Sequence, residues 1–441
     1  MIFFPEGKIV LSGAVNLSSN MYMYLAPSST FLGVEDFDGY PLVQPLPSFP
    51  VSTGKNSNPR YMGLVGASHA VNVGILGEGV VDGNGAWWWN QYHSFLYETD
   101  ACEHEELPLE RGAVRLRSMQ RTDGSNVHPP TFLQQVFREE VYEKYRQMIV
   151  VELEKARSQG ALREMILYHC RENGNELRTV TTATVRSGLA YTRPRLVEFL
   201  YCTNITITGV TIQQSPFWTV HLYNSTTAQV TNVSILNAVY SPNTDGIDID
   251  SSKRVKVEAS YISVADDHIA IKSGEGDEGA AYNSSTENIV ISDMTLAAGG
   301  GIAFGSETAA DVHDLLIRNV SYVLTTSDAI RIKSCPHYKG LVSNILFDGV
   351  SVSAGSNGIY INQNYECHPP PSPSPPACRL TNLGVRNLHG LVTKAGDMEC
   401  DYDGACRHFT FTNVHLTHTF GFHCTNVSKG FCRDVHPSCC F

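Results

Sequence analysis

No stretch of about 18 consecutive apolar residues occurs anywhere in the 441-residue chain, so no segment reads as a membrane-spanning helix. Basic blocks are missing as well. Against 44 Asp and Glu stand only 32 Lys and Arg, a formal charge of −12, and nucleic acid is not an expected partner. That balance leaves room for an anionic ligand wherever a few cations are gathered locally. Hairpin turns of two to five residues are scarce, which weighs against a β-sandwich. The 12 cysteines show no paired C-x-x-C spacing, so a zinc ribbon is excluded. A secretory leader is not visible either: Met1-Ile2-Phe3-Phe4 runs directly into Pro5-Glu6-Gly7. The expectation is a truncated start with an N-terminal cap missing; a cytosolic chain is the alternative.

What is present points to an oxidising compartment. Nine of the 12 cysteines fall between Cys335 and Cys440, where disulfides are expected. Seven N-x-[ST] sequons, at Asn16, Asn204, Asn224, Asn232, Asn283, Asn319 and Asn426, fit a secreted or cell-wall protein.

From about residue 200 short β-branched segments recur: NITITGVTI (204–212), QVTNVSIL (229–236), NIVISDMTL (288–296), DLLIRNVSY (314–322), NILFDGVSV (344–352) and HFTFTNVHL (408–416). Anchored on Val210, Val233, Ser260, Met294, Val320 and Val350, successive units lie 23 to 34 residues apart. That spacing is the mark of a solenoid. A second frame repeats Ile-x-Ile or Ile-x-Phe, beginning at Ile247, Ile269, Ile302, Ile330 and Ile359. With each first Ile pointing inward, these stack into one apolar column, and the middle residues are expected in solvent. Two rows of inward aliphatics per turn predict an all-β protein: a right-handed parallel β-helix.

One region departs from this pattern. Between about 105 and 175 the composition becomes charged and helical, with Phe132, Val136, Val141, Tyr145, Ile149 and Leu153 forming an amphipathic stripe. The expected organisation is therefore first coils over 1–100, a helical insertion over 101–186 and the main β-helix over 187–441. The run HPPPSPSPPA (368–377) reads as a polyproline-like surface loop.

The frame also gathers chemistry. Asp245 and Asp267 each stand two places before a first Ile, so they should be neighbours on coils about 4.8 Å apart. Asp266 precedes Asp267, and a bend at the strand entrance would bring all three carboxylates to one surface. Crowded like charges keep one carboxyl protonated while its neighbours stay ionised, the division of labour that glycosidic hydrolysis requires. Arg331 and Lys333 project from one face two rungs beyond Asp267, roughly 10 Å away, and suit a polymer bearing carboxylates. Lys272 falls in the column of Lys333. His268 is expected to point outward beside Asp267, as a modulator of proton transfer or an ordinary exposed imidazole.

Asn243-Thr244-Asp245, Asp266-Asp267, Gly305-Ser306 and Arg331-Ile332-Lys333 resemble the four signature segments of the polygalacturonase family, the pectin-degrading glycoside hydrolases of family 28. VVDGNGAWWW (80–89), YTRPRLVEF (191–199) and SPFWTVH (215–221) are similar to plant-type members. The resemblance covers nearly all the chain outside the insertion and the Pro-rich loop. It implies Asp266 as general acid, Asp245 and Asp267 activating water in an inverting reaction, and Arg331 and Lys333 binding substrate carboxylates. Tyr365 and Asn243 are implied as further sugar contacts. No cofactor and no metal is expected. The implied partner is polygalacturonate or pectin, bound by a monomer.

One departure stands out. Family members often carry a histidine that, aligned on Ser306, would fall at Gly300 or Gly299, and the run here is Ala297-Ala298-Gly299-Gly300-Gly301. Gly305-Ser306-Glu307 is similar to a plant and bacterial branch that includes exo-acting enzymes. A calcium-dependent pectate lyase and a non-catalytic pectin-binding wall protein are the alternative readings.

Overall fold

The computed structural model describes residues 1–49, 59–100, 193–323, 327–335, 338, 340–365 and 378–441, with 93–100 as backbone only. The expected insertion (101–186) and the Pro-rich loop lie outside the described residues. Met1–Gln91 and Tyr191–Phe441 make up one compact unit.

The chain winds as a right-handed parallel β-helix. One coil consists of Thr203–Thr208, Thr211–Gln213 and Val220–Tyr223. The next, Thr226–Thr231, Ser234–Leu236 and Ile247–Asp250, pairs onto it in parallel, with Thr203 against Thr226, Thr211 against Ser234 and Val220 against Ile247. Lys253–Glu258, Tyr261–Ser263 and Ile269–Lys272 follow in the same register. Parallel neighbours need long crossovers, and here each crossover is the rest of a turn.

Each coil thus carries three strands, not the two rows that the sequence suggests. The recurrent segments are bent in the middle. Gly209, Asn232, Ala259, Asp293, Asn319 and Gly349 take left-handed backbone at that corner, with φ of +79°, 52°, 47°, 58°, 50° and 75°. The corner skips one residue of the alternation: Ile205 and Ile207 point inward, and so do Val210 and Ile212. Side-chain amides bridge one coil to the next both along these corners, as from Asn319 to Asp293 (2.6 Å) and Asn413 to Asn387 (2.8 Å), and at the start of the segments, as from Asn204 to Asn72 (2.7 Å) and Asn382 to Asn344 (2.7 Å).

The expected isoleucine column exists. Ile247, Ile269, Ile302, Ile330 and Ile359 stack in register, as do Ile249, Ile271, Phe304, Ile332 and Ile361, and none is more than 3% exposed. Each such side chain contributes roughly 1.5–3 kcal/mol by leaving water.

The middle residues correct the expectation. Asp248, Ala270 and Ala303 face outward yet are fully buried, while Arg331 and Tyr360 are half-buried. The outer face of this third stack is roofed. Ser48 bonds the Tyr223 hydroxyl (2.7 Å) and its carbonyl accepts from the Glu275 N–H (2.7 Å), so the segment ending at Phe49 lies across it. The helix Gly85–Asp100 is anchored by Trp88, buried against Phe37, Tyr40 and Tyr61, and by Trp89, whose indole N–H donates to the Ser215 carbonyl at 3.0 Å. The expected disulfides appear as Cys400–Cys406, Cys424–Cys440 and Cys432–Cys439.

Candidate active site

The three aspartates converge where two coils enter the third stack. Asp245 precedes Ile247–Asp250, and Asp266 and Asp267 precede Ile269–Lys272. The Gly246 N–H donates to the Asp267 carbonyl (2.9 Å), which locks the two entrances side by side. At the second, the Asp267 N–H donates to Asp266 Oδ1 (3.0 Å), bending the chain so that adjacent carboxylates share one surface. One oxygen from each of Asp245, Asp266 and Asp267 lies within 4.8 Å of the others. Asp245 and Asp267 are 4% and 1% exposed, and Asp266 is half-buried.

Their environments pull them apart. Burial, then the charges of Asp248 and Asp266, push the Asp245 carboxyl well above the ordinary carboxylate range. Burial opposes ionisation of Asp267 too, but the adjacent Lys333 and Arg331 more than offset it and hold its pKa down at about 2. The Lys333 ammonium donates to Asp267 Oδ2 at 2.7 Å and the Arg331 guanidinium to Oδ1 at 3.2 Å. The two cations therefore do not stand roughly 10 Å off, as the rung count suggests; their long side chains reach back across the intervening rung. Arg331 Nε also faces Asp328 Oδ2 (3.4 Å), and the Tyr365 ring lies 5.9 Å from Arg331 Cζ and 5.5 Å from Lys333 Nζ.

Asn243 is exposed on the turn just before Asp245, its Oδ1 accepting from Arg193 at 2.8 Å. Arg193 also donates to the carbonyls of Pro216 (2.9 Å) and Pro242 (2.6 Å). This buried clamp is a residue that the sequence reading leaves without a role, although it falls within the quoted YTRPRLVEF. Asp248 and Asp328 are left without a role likewise, although Asp328 stands two places before Ile330, as Asp245 and Asp267 stand before their first Ile.

Lys272 falls in the column of Lys333, as expected from the register of Ile271, Phe304 and Ile332, but it is buried there: it bonds Glu307 at 2.8 Å, faces Asp248 at 3.8 Å and sits 4.7 Å over the Trp218 ring. One expectation is overturned. His268 is buried rather than outward. Its Nδ1 accepts from the Gly301 N–H (3.0 Å), and burial lowers its pKa to about 4, so the imidazole is neutral. It lies beneath the floor that carries Asp267. This explains the missing histidine: a Cβ at Gly299 would come 2.6 Å from the His268 ring, and one at Gly300 would come 2.6 Å from Asp267 Oδ1.

A carboxylate trio on the outer face of a parallel β-helix, with a cation pair locked to one member, suits glycosidic hydrolysis. The chain belongs to the Glycosyl hydrolases family 28, whose profile matches residues 176–439. It is 25% identical over 452 residues to a probable polygalacturonase of Vitis vinifera, spanning 100% of this chain and 72% of the relative. A polygalacturonase of Juniperus ashei is 27% identical over 264 residues, 56% of this chain and 48% of the relative, so that match spans about half of the conifer protein. In fold, the chain is similar to the exopolygalacturonase of Thermotoga maritima, with TM-score 0.62, 23% identity and coverage of 98% and 83%. The polygalacturonase of Erwinia carotovora gives TM-score 0.57, 20% identity and coverage of 96% and 86%.

Proposed function

We propose that this chain hydrolyses α-1,4 linkages between galacturonate units of pectin, with Asp245, Asp266 and Asp267 as its catalytic residues. The observation that carries this reading is the meeting of three carboxylates within 4.8 Å beside Arg331 and Lys333. Asp266, the most exposed of the three, faces the glycosidic oxygen. In the free site the proton resides on Asp245. When the polymer covers the site, that proton passes to Asp266, which delivers it to the leaving oxygen as the C1–O bond breaks. Asp245 is thereby ionised beside Asp267, and both accept from one water. Two hydrogen bonds of about 2.8 Å span a gap of this size with the water bent between them. The water attacks C1 from the opposite face, gives up its proton to the pair and inverts the anomeric centre; this stereochemistry is what the family resemblance implies, since carboxylates meeting within 4.8 Å are closer than the usual inverting separation of about 6.5–9.5 Å. Arg331, Lys333, Tyr365 and Asn243 hold the uronate chain.

The enzyme acts as a secreted monomer on the cell wall. Six of the seven sequon asparagines are exposed, all but Asn224; the side-chain amides of Asn204, Asn319 and Asn426 donate to Asn72, Asp293 and the Cys400 carbonyl, which leaves Asn16, Asn232 and Asn283 best placed to carry glycans. No described helix is long and apolar enough to cross a membrane.

Asp266→Asn tests the reading. Reducing-end release from polygalacturonic acid should fall by about 10²–10⁴-fold, the scale of lost general-acid catalysis, with the circular dichroism spectrum unchanged. Near-normal turnover would remove Asp266 from the role. Product analysis of the wild type, with and without chelator, reads the mode: monomer for exo attack, oligomers for endo, an unsaturated product for elimination.

A further inference from the structure

At the C-terminal end of the solenoid, far along the chain from the aspartates, two imidazoles and a carboxylate meet on the outer surface. His415 lies in the strand Thr410–Thr425 and pairs in register with His436 of Phe431–His436, so their side chains leave the same face one rung apart. Asp434 stands two residues before His436, and its Oδ1 lies 3.1 Å from His415 Nε2 and 3.7 Å from His436 Nε2. One oxygen therefore faces both imidazole nitrogens. The rings are nearly perpendicular (87°), with centroids 5.1 Å apart.

We infer that His415, Asp434 and His436 form a binding site for a zinc-class divalent cation, with water completing the coordination. Tetrahedral zinc with bonds of about 2.0–2.1 Å sets its ligand atoms about 3.3 Å apart, and the two observed separations bracket that value. The donor set of two neutral imidazoles and one carboxylate suits zinc among available ions. The frame is braced, since Cys432–Cys439 ties the last strand to the tail that follows it and Cys424–Cys440 ties that tail to the strand that carries His415. All three side chains are about half exposed or more (48%, 55% and 72%), so the ion has free access. A bound metal would clip the last strand to the coil before it.

Zinc titration of the full chain, by calorimetry and by thermal unfolding in buffered free zinc, tests this. Wild type should bind one equivalent and unfold at higher temperature as zinc rises. His415→Ala and Asp434→Asn should each lose that equivalent and the shift; asparagine keeps the left-handed backbone at position 434 (φ 55°) while removing the charge. His423→Ala deletes an imidazole that faces Asp397 (3.1 Å), a carboxylate shared with Lys394 (2.8 Å), and should change neither reading. Hydrolytic activity should be the same in all of these variants. Absence of binding in the wild type, or the same isotherm in His415→Ala, would overturn the assignment.

Discussion

Asp267 carries its charge inside the protein because Lys333 and Arg331 close on its two oxygens, at 2.7 and 3.2 Å. Its pKa of about 2 lies below the ordinary carboxylate value, so the ionised form persists above that pH and is lost below it. Removing the Lys333 ammonium must raise it. In Lys333→Met, the acid limb of the kcat/KM–pH profile should move upward by about one to two units, the size of one close opposite charge. A limb that stays in place, whatever happens to the absolute rate, would show that Asp267 is not the ionised group on which turnover depends. Much at this scale was legible in advance. The meeting of Asp245 with Asp267 follows from rung stacking, because residues at equal places in successive repeats must be neighbours, and Asp266 joins them through the bend that its Oδ1 makes with the Asp267 N–H. The reach of Arg331 and Lys333 was not, since a flexible side chain can span a rung in either direction. Nor was the burial of Lys272, which depends on Trp218 and Glu307 from other parts of the winding.

The turn Gly299–Gly301 shows how an element constrains chemistry. The Gly300 N–H bonds the Asp266 carbonyl (2.7 Å), and the Gly301 N–H bonds His268, so this turn supports the acid pair from the next coil. It can do so only without side chains. Gly300→His, which would restore the histidine frequent in the family, should displace Asp267, cost about 1–3 kcal/mol by overpacking and lower activity. A denaturant melt with an activity assay checks both. A variant that is as stable and faster would mean that the floor can yield. Elements were the least legible scale. A corner such as Asn232 or Ala259 shifts the inward phase by one residue, and a nine-residue run of alternating character conceals that step. The isoleucine column was readable because its three-residue frames contain no corner. The outward frame of His268 failed because the bend that unites Asp266 with Asp267 also rotates the next side chain into the core.

At the scale of the whole winding, the strands of each late coil pair only with those of its neighbours, so damage there should remain local. Phe411, fully buried in a late coil, offers a test. Phe411→Ala should cost about 3–5 kcal/mol, yet hydrogen exchange should quicken mainly over 410–436 while amides of 247–272 stay protected. Uniform loss of protection would show that the winding melts as one body. The cation pair has a consequence that reaches beyond the protein itself. An arriving uronate must compete with Asp267 for Arg331 and Lys333, and whatever attraction it draws away leaves that aspartate hungrier for a proton. Polymer capture and arming of the water would then be one event, and an uncharged sugar chain, even one that fits, would leave the catalyst asleep.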